Sequence, residues 1–106
     1  MALTIKAAGD SKLVVNGTTT ELSEIYARIE FACPKDGNKM GAALYCYENK
    51  AKYTADPGSL LSLEGFEAIY TVDIDIESEI QSLQTGHDKV KAALEAAGYT
   101  VTIIDL

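Results

Sequence analysis

The spacing of apolar residues changes twice in the last third of the chain, from Phe66 to Leu106. These residues alternate with polar ones up to Ile76, then recur in steps of four and three up to Ala97, and alternate again after Tyr99. A period of two is typical of a strand with one buried face, and steps of three and four are typical of an amphipathic helix. The pattern predicts a strand, a helix and a final strand that pack as one unit on a sheet formed by the earlier residues.

The residues at the two ends of this helix indicate where it begins and stops. Gly98 predicts the C-terminal end, because glycine readily adopts the left-handed conformation that terminates helices. Two starts are open. A capping box that begins at Ser78 favours an early start, whereas Gly86, which costs about 1 kcal/mol in a helix interior, favours a later one. The helix is therefore predicted over either 78–97 or 86–97.

A second region of strict alternation predicts a hairpin in the middle of the chain. One strand is predicted from Glu24 to Cys33, and its partner from Met40 to about Tyr53. A two-residue turn at Asp36-Gly37 gives a register in which every pair on one face is apolar, so this register is predicted. The apolar pairs are Phe31 with Ala42, Ile29 with Leu44, Ala27 with Cys46, and Cys33 with Met40.

The remaining elements complete an α+β fold. Residues 3–8 predict a short strand, and Asn16-Gly17, with β-branched residues on both sides, predicts a hairpin with a type I′ turn. The final strand, Tyr99 to Leu106, has apolar residues on both faces and is predicted to be interior or covered on both sides. We therefore predict a single α+β domain over 1–106, a mostly antiparallel β-sheet of hairpins with one C-terminal helix packed on it and a final β-strand.

The charge distribution argues against two classes of partner. The formal net charge is −7, and no Lys or Arg occurs between Lys52 and Lys89. Nucleic acids and anionic membranes bind clustered cations, so neither is predicted as a partner. The sequence also has no apolar run near the roughly 18 residues of a membrane span, and no signal-peptide pattern, which predicts that the chain is made and folded in a cytoplasm.

An acidic series in the predicted strand raises the question of a cation site. Asp73, Asp75 and Glu77 project three carboxylates from one strand face. Carboxylate oxygens bind hard cations such as Ca²⁺ and Mg²⁺, so weak binding is one interpretation. The glycine and the distant glutamate of an EF-hand are missing, and a charged face that discourages edge pairing is favoured instead. No metal ligands and no cofactor are predicted.

The residues with reactive side chains do not form a catalytic group. Cys33 and Cys46 share the inner face of the predicted hairpin but are not opposed, and a disulfide requires Cα atoms within about 7 Å, so both are predicted to be reduced. His87, the only histidine, lies on the helical stripe, and Asp88 points about 100° away around the helix. His87 is interpreted as a structural residue, and no catalytic residues are predicted.

Tyrosine side chains dominate the outer face of the predicted hairpin. Tyr and Arg are enriched at the energetic centres of protein–protein interfaces. This face is therefore a candidate interface, with cover by the helix or by another strand as the alternative. The candidate residues are Tyr26, Arg28, Tyr45, Tyr47 and Tyr53.

Two strand segments and the closing stretch carry a resemblance to a known class of proteins. They are EIYARIEFA, GAALYCYENKAKY and QSLQTGHDKVKAALEAAGYTVTIIDL. In size, composition and order of elements over most of the chain, they resemble small virion proteins of tailed bacteriophages. The resemblance implies a non-enzymatic structural protein of the capsid surface, neck or tail, located in the virion, whose partners are copies of itself and other virion proteins. A small intracellular binding or regulatory module and an acidic metal-dependent enzyme stay open as other functions.

Overall fold

The computed structural model describes residues 1–9, 11–32, 39–73 and 83–105. In this part of the chain, five strands form an antiparallel sheet, two short strands form a separate ribbon, and one helix packs on each face of the sheet. The predicted α+β class, with a C-terminal helix on a mostly antiparallel sheet and a final strand, is confirmed. The elements are β1 (Ala2–Lys6), β2 (Leu13–Val14), β3 (Glu21–Leu22), β4 (Glu24–Ala32), β5 (Lys39–Tyr47), α1 (Lys50–Ala55), β6 (Ile69–Asp73), α2 (Leu83–Ala96) and β7 (Thr100–Ile104).

The hairpin of β4 and β5 forms the centre of the sheet, whose strand order is β6-β5-β4-β1-β7. Its pairing is the predicted one, with Ile29 opposite Leu44 and Phe31 opposite Ala42. A slip of one residue would turn every apolar side chain of the inner face towards solvent, so burial of that face specifies the register. The predicted turn at 36–37 and the pairing of Cys33 lie outside the described residues.

The second strand of this hairpin is shorter than predicted. Strand β5 ends at Tyr47 and α1 follows it, so the prediction of a strand as far as Tyr53 is wrong. The side chain of Asn49 accepts a hydrogen bond from the Lys52 N–H at 2.9 Å and thereby caps the helix. This cap favours a helical turn over continuation of the strand.

The ribbon of β2 and β3 is the predicted N-terminal hairpin, but its turn is of a different type. The Val15 N–H donates to the Thr20 carbonyl oxygen at 3.0 Å, so residues 16–19 connect the strands. Gly17 has a φ of +75°, whereas Asn16 does not have a positive φ. A type I′ turn requires positive φ at both central residues, so that part of the prediction is wrong.

Helix α2 includes a glycine that the sequence had suggested as a helix boundary. The helix runs from Leu83 to Ala96, so the prediction of a start at 86 is wrong, and a start at 78 lies outside the described residues. A Cβ atom on Gly86 would come within 2.7 Å of the Phe31 ring. Gly86 therefore lets the helix approach the sheet closely, which compensates for its low helix propensity. No helix in the described part of the chain is long and apolar enough to cross a bilayer.

The end of α2 and the strand that follows it agree only in part with the predictions. The helix ends near Gly98, as predicted, and the Tyr99 N–H donates to the Leu94 carbonyl at 3.1 Å, as in a Schellman motif. Among the described residues, strand β7 lies at an edge of the sheet, so the prediction of an interior strand is wrong. The other predicted option holds, because Val101 packs in the main core and Ile104 packs on the opposite face.

The main hydrophobic core lies between α2 and the inner face of the sheet. Strand β6, predicted over 66–76, forms over Ile69–Asp73; residues 66–68 precede it, and residues 74–76 lie outside the described part. Its alternation places Val72 in the core, as predicted. The largest fully buried side chains are those of Leu3, Ile5, Ile25, Val90 and Leu94.

Candidate functional site

The outer face of the sheet, opposite α2, carries the predicted interface residues and divides into two ends. We call the first the covered end; there α1 packs over Tyr26 and Tyr47 and contributes Tyr53. We call the second the open end, where the two central strands and β6 form a shallow groove of about 220 Å³. The open groove is lined by residues that include Glu30, Ala32, Gly41, Ala43, Tyr45 and Ile69.

The covered end is a small second core made largely of tyrosines. The Tyr53 ring lies 5.7 Å from the Tyr26 ring and 4.9 Å from the Tyr47 ring, centre to centre. Tyr26 is 2% exposed and Tyr47 is 4% exposed. These two predicted interface residues are therefore buried within the chain. The cover is α1, which was not predicted, whereas the C-terminal helix packs on the opposite face of the sheet.

A chain of polar contacts joins three elements at the covered end. Arg28 donates through Nη1 to the Tyr26 hydroxyl at 3.4 Å, and that hydroxyl donates to the Asp105 carboxylate at 3.0 Å. Lys50 of α1 donates to the same carboxylate at 2.7 Å. The Arg28 guanidinium also lies 5.0 Å from the centre of the Tyr53 ring, a cation–π contact. Arg28 and Tyr53 thus hold α1 on the sheet, with part of each side chain accessible.

The ion pair between Lys50 and Asp105 favours the charged form of each side chain. The hydrogen bond from Lys50 holds the pKa of Asp105 below its ordinary value and raises the pKa of Lys50 itself. Asp105 adopts a left-handed φ of 56°, which is uncommon for a residue other than glycine. Its contacts with Lys50 and Tyr26 favour this conformation, and they tie the residue that follows β7 to α1.

The turn that follows α1 is also attached to the covered end. The Tyr47 hydroxyl donates to the Pro57 carbonyl oxygen at 2.6 Å. Burial raises the pKa of Tyr47, since a phenolate would lose its hydration there. Tyr47 therefore acts as a neutral donor that fixes the position of the turn.

The open end has the opposite character. Its floor consists of the small residues Ala32, Gly41 and Ala43, and the larger side chains stand at its border. Ile69 is 69% exposed and Tyr45 is 37% exposed. These side chains leave a concave apolar surface that no described element covers.

Tyr45 has one fixed polar contact at the border of the open groove. Its hydroxyl donates to the Glu30 carboxylate at 2.9 Å, and this hydrogen bond raises the pKa of Tyr45. The contact holds the ring beside the groove and leaves a negative charge at its border. Of the five predicted interface residues, Tyr45 is the one that lines this groove.

Sequence reasoning missed Ile69 and the small residues of the floor. Ile69 falls on the polar side of β6, in the same phase as Thr71. The sequence does contain an indication, because Ile69 occupies a position where the alternation of β6 predicts a polar residue. The neighbouring residues of β5 on that face, Gly41 and Ala43, are too small to bury it.

The other residues considered from the sequence lie away from the outer face. His87 is buried on α2, with its ring 5.4 Å from the Phe31 ring, in an edge-on arrangement. Cys46 is a buried free thiol, as predicted, and burial raises its pKa to about 12. Cys33, Asp75 and Glu77 lie outside the described residues. Within the described residues, no three His, Cys, Asp or Glu side chains are grouped closely enough to hold a metal ion.

Comparison with known proteins adds no assignment to this geometry. The chain matches no protein-family model, no curated protein and no solved structure.

Proposed function

We propose that the chain is a non-enzymatic structural or assembly protein that works through protein–protein contacts, as a bacteriophage virion component of the capsid surface, neck or tail. The observation that carries the contact function is the open groove, where Ile69 and Tyr45 are exposed beside a floor of small residues. Aromatic and other apolar side chains are enriched in the centres of protein–protein interfaces, so the exposure of two of them at one concavity favours a contact surface. The virion assignment is supported by the resemblance described from the sequence.

The energetics of the open groove favour binding of a protein side chain. Burying a side chain such as Ile69 stabilises a complex by roughly 1.5–3 kcal/mol, and tyrosines are frequent energetic centres of interfaces. The floor belongs to β4 and β5, which pair with each other in the middle of the sheet. A groove built on paired strands is already ordered before binding, so little conformational entropy is lost when a partner docks.

Purified particles provide the test of the virion assignment. Phage particles are purified from the bacterium in which the chain is produced. They are expected to contain many copies of the chain per particle, and quantitative mass spectrometry measures that number. A chain found in the soluble lysate and missing from the particles would contradict the assignment.

A matched pair of substitutions tests the open groove itself. Ile69→Asp places a charge at the groove, whereas Thr19→Asp adds the same charge in the exposed connection between β2 and β3. We expect tagged Ile69→Asp to be lost from the particles and tagged Thr19→Asp to be incorporated like the wild type. Equal incorporation of both variants would show that the open groove is not the contact surface.

A further inference from the structure

The connection between β2 and β3 contains an asparagine followed by a glycine, Asn16-Gly17, which the proposed contact function does not use. Both residues are exposed. Gly17 has a φ of +75°, and a Cβ atom built on it would meet no atom of the described residues within 4 Å. The space beside Gly17 is therefore open, and glycine has no side chain of its own to obstruct an approach to the backbone nitrogen.

Asparagine is chemically labile, and a following glycine favours its conversion to an acid. The Gly17 nitrogen attacks the Asn16 Cγ, the new bond closes a succinimide ring, and Nδ2 leaves as ammonia with the proton that the Gly17 nitrogen gives up. Water then adds to a ring carbonyl and breaks one of the two bonds to the ring nitrogen. The product is aspartate if the bond from Cγ breaks, and isoaspartate if the bond from the backbone carbonyl breaks.

The folded chain restrains the Asn16 side chain. Its Nδ2 donates to the Ser62 Oγ at 2.7 Å, and its backbone N–H donates to the Ser62 carbonyl at 2.8 Å. Ser62 is held in turn by its neighbour, because the Leu61 N–H donates to the Cys46 carbonyl in β5 at 2.8 Å. Ring closure moves the Asn16 amide towards the Gly17 nitrogen and releases Nδ2, so it requires that the hydrogen bond to Ser62 break.

We propose that Asn16 is a site of spontaneous deamidation, and that its hydrogen bond to Ser62 slows the reaction in the folded chain. The inference does not depend on the proposed function. Either product replaces a neutral amide with a carboxylate, which is ionised at neutral pH. The net charge of −7 therefore becomes more negative by one as the chain ages.

The two products differ in what they do to the connection. Aspartate keeps the backbone, and the Ser62 hydroxyl can donate to its carboxylate, because a hydroxyl is both donor and acceptor. Isoaspartate adds a methylene to the backbone before Gly17. That addition lies inside the turn that the Thr18 N–H closes on the Val15 carbonyl at 3.1 Å, so we expect this hydrogen bond to be lost in the isoaspartate form.

Incubation of the purified chain at mildly alkaline pH tests the site. Peptide mapping by mass spectrometry measures the conversion, and chromatographic retention separates the two products. Asn49 is the internal control: it is also exposed, but the side chain of Lys50 follows it, and its Oδ1 accepts from the Lys52 N–H at 2.9 Å. We expect Asn16 to convert while Asn49 stays an amide, at a rate that rises with pH because the attacking nitrogen must lose its proton.

Substitutions of Ser62 test its control of the rate. Ser62→Ala removes the acceptor and is expected to convert Asn16 about fivefold faster, which corresponds to about 1 kcal/mol for one hydrogen bond. Ser62→Thr keeps a hydroxyl and is expected to react at the wild-type rate. Asn16→Gln, whose longer side chain would have to close a larger ring, is expected to stay unmodified. Far-UV circular dichroism establishes that each variant is folded.

Two results would contradict the inference. Conversion of Asn16 that is no faster than conversion of Asn49 overturns the assignment of the site. Equal rates for the wild type and for folded Ser62→Ala overturn the control by Ser62.

Discussion

The two ends of the outer face differ in the size of the side chains that the same two strands present. At the covered end, β4 and β5 present Tyr26 and Tyr47, and α1 adds Tyr53 over them. At the open end, the same strands present Ala32 and Gly41, and no described element lies over them. The tyrosines fill the space beneath a helix, whereas the small residues leave a concavity.

This difference separates the tyrosines of the outer face by exposure and not by residue type. Tyr26 and Tyr47 are buried under α1, while Tyr45, only two residues before Tyr47, lies on the border of the open groove. Substitutions at the covered end should therefore affect stability, and substitutions at the open end should affect association.

The largest expected effect comes from truncating a tyrosine at the covered end. Tyr26→Ala should lower the free energy of unfolding by roughly 3–5 kcal/mol, because it removes a buried aromatic ring. Tyr45→Ala should change it far less, since that ring is partly exposed. Urea denaturation of both variants measures the difference. Equal destabilisation by the two substitutions would contradict the division of the outer face into two ends.

A smaller effect is expected from removing a single hydroxyl. Tyr47→Phe deletes the donor to the Pro57 carbonyl and should lower the free energy of unfolding by about 1–2 kcal/mol. Tyr45→Phe is the matched control, because the hydrogen bond that it deletes is exposed to water, whereas that of Tyr47 is partly buried. A larger loss of stability for Tyr45→Phe than for Tyr47→Phe would be contrary to the structure.

The smallest effect is expected from the carboxylate of Asp105, which accepts a hydrogen bond from Lys50 of α1. The pKa of Asp105 is lowered in the folded state, so its contribution to stability is complete above its unfolded value of about 3.9. That contribution is lost as the pH falls through the lower pKa of the folded state. Asp105→Asn also tolerates the left-handed φ and is the suitable comparison.

Thermal unfolding of both proteins across acidic pH measures this contribution. The wild type should melt above Asp105→Asn at neutral pH, and the gap should close below about pH 3.9. The gap should also be small in a Lys50→Met background, which removes the main partner of the carboxylate. A gap that is constant with pH would show that the charge of Asp105 does not contribute.

Much of the fold could be predicted because the inner face of the sheet is buried. Alternation and register in β4 and β5 follow from that burial, and the stop at Gly98 follows from backbone conformation. The failures have local causes. Asn49 caps a helix where a strand was predicted, and Gly86 lies inside a helix because the Phe31 ring occupies the space of a side chain.

The candidate site was less predictable, because it depends on what covers each part of the outer face. The phase of Tyr26, Tyr45 and Tyr47 placed them together correctly. Which of them is accessible depends on α1, whose position over the sheet results from tertiary contacts such as that between Arg28 and Tyr53. The groove beside Ile69 exists because the residues of its floor have small side chains. A single sequence indicates such a groove only weakly.

Backbone amide spectra recorded by NMR over a dilution series test the central claim most directly. If the open groove is the contact surface, the amide signals of residues 41–43 and 69–71 should shift or broaden as the concentration rises. Those of Tyr26 and Tyr47, beneath α1, should stay constant. Spectra that do not depend on concentration, or changes at Tyr26 and Tyr47 without changes at the open end, would contradict the account.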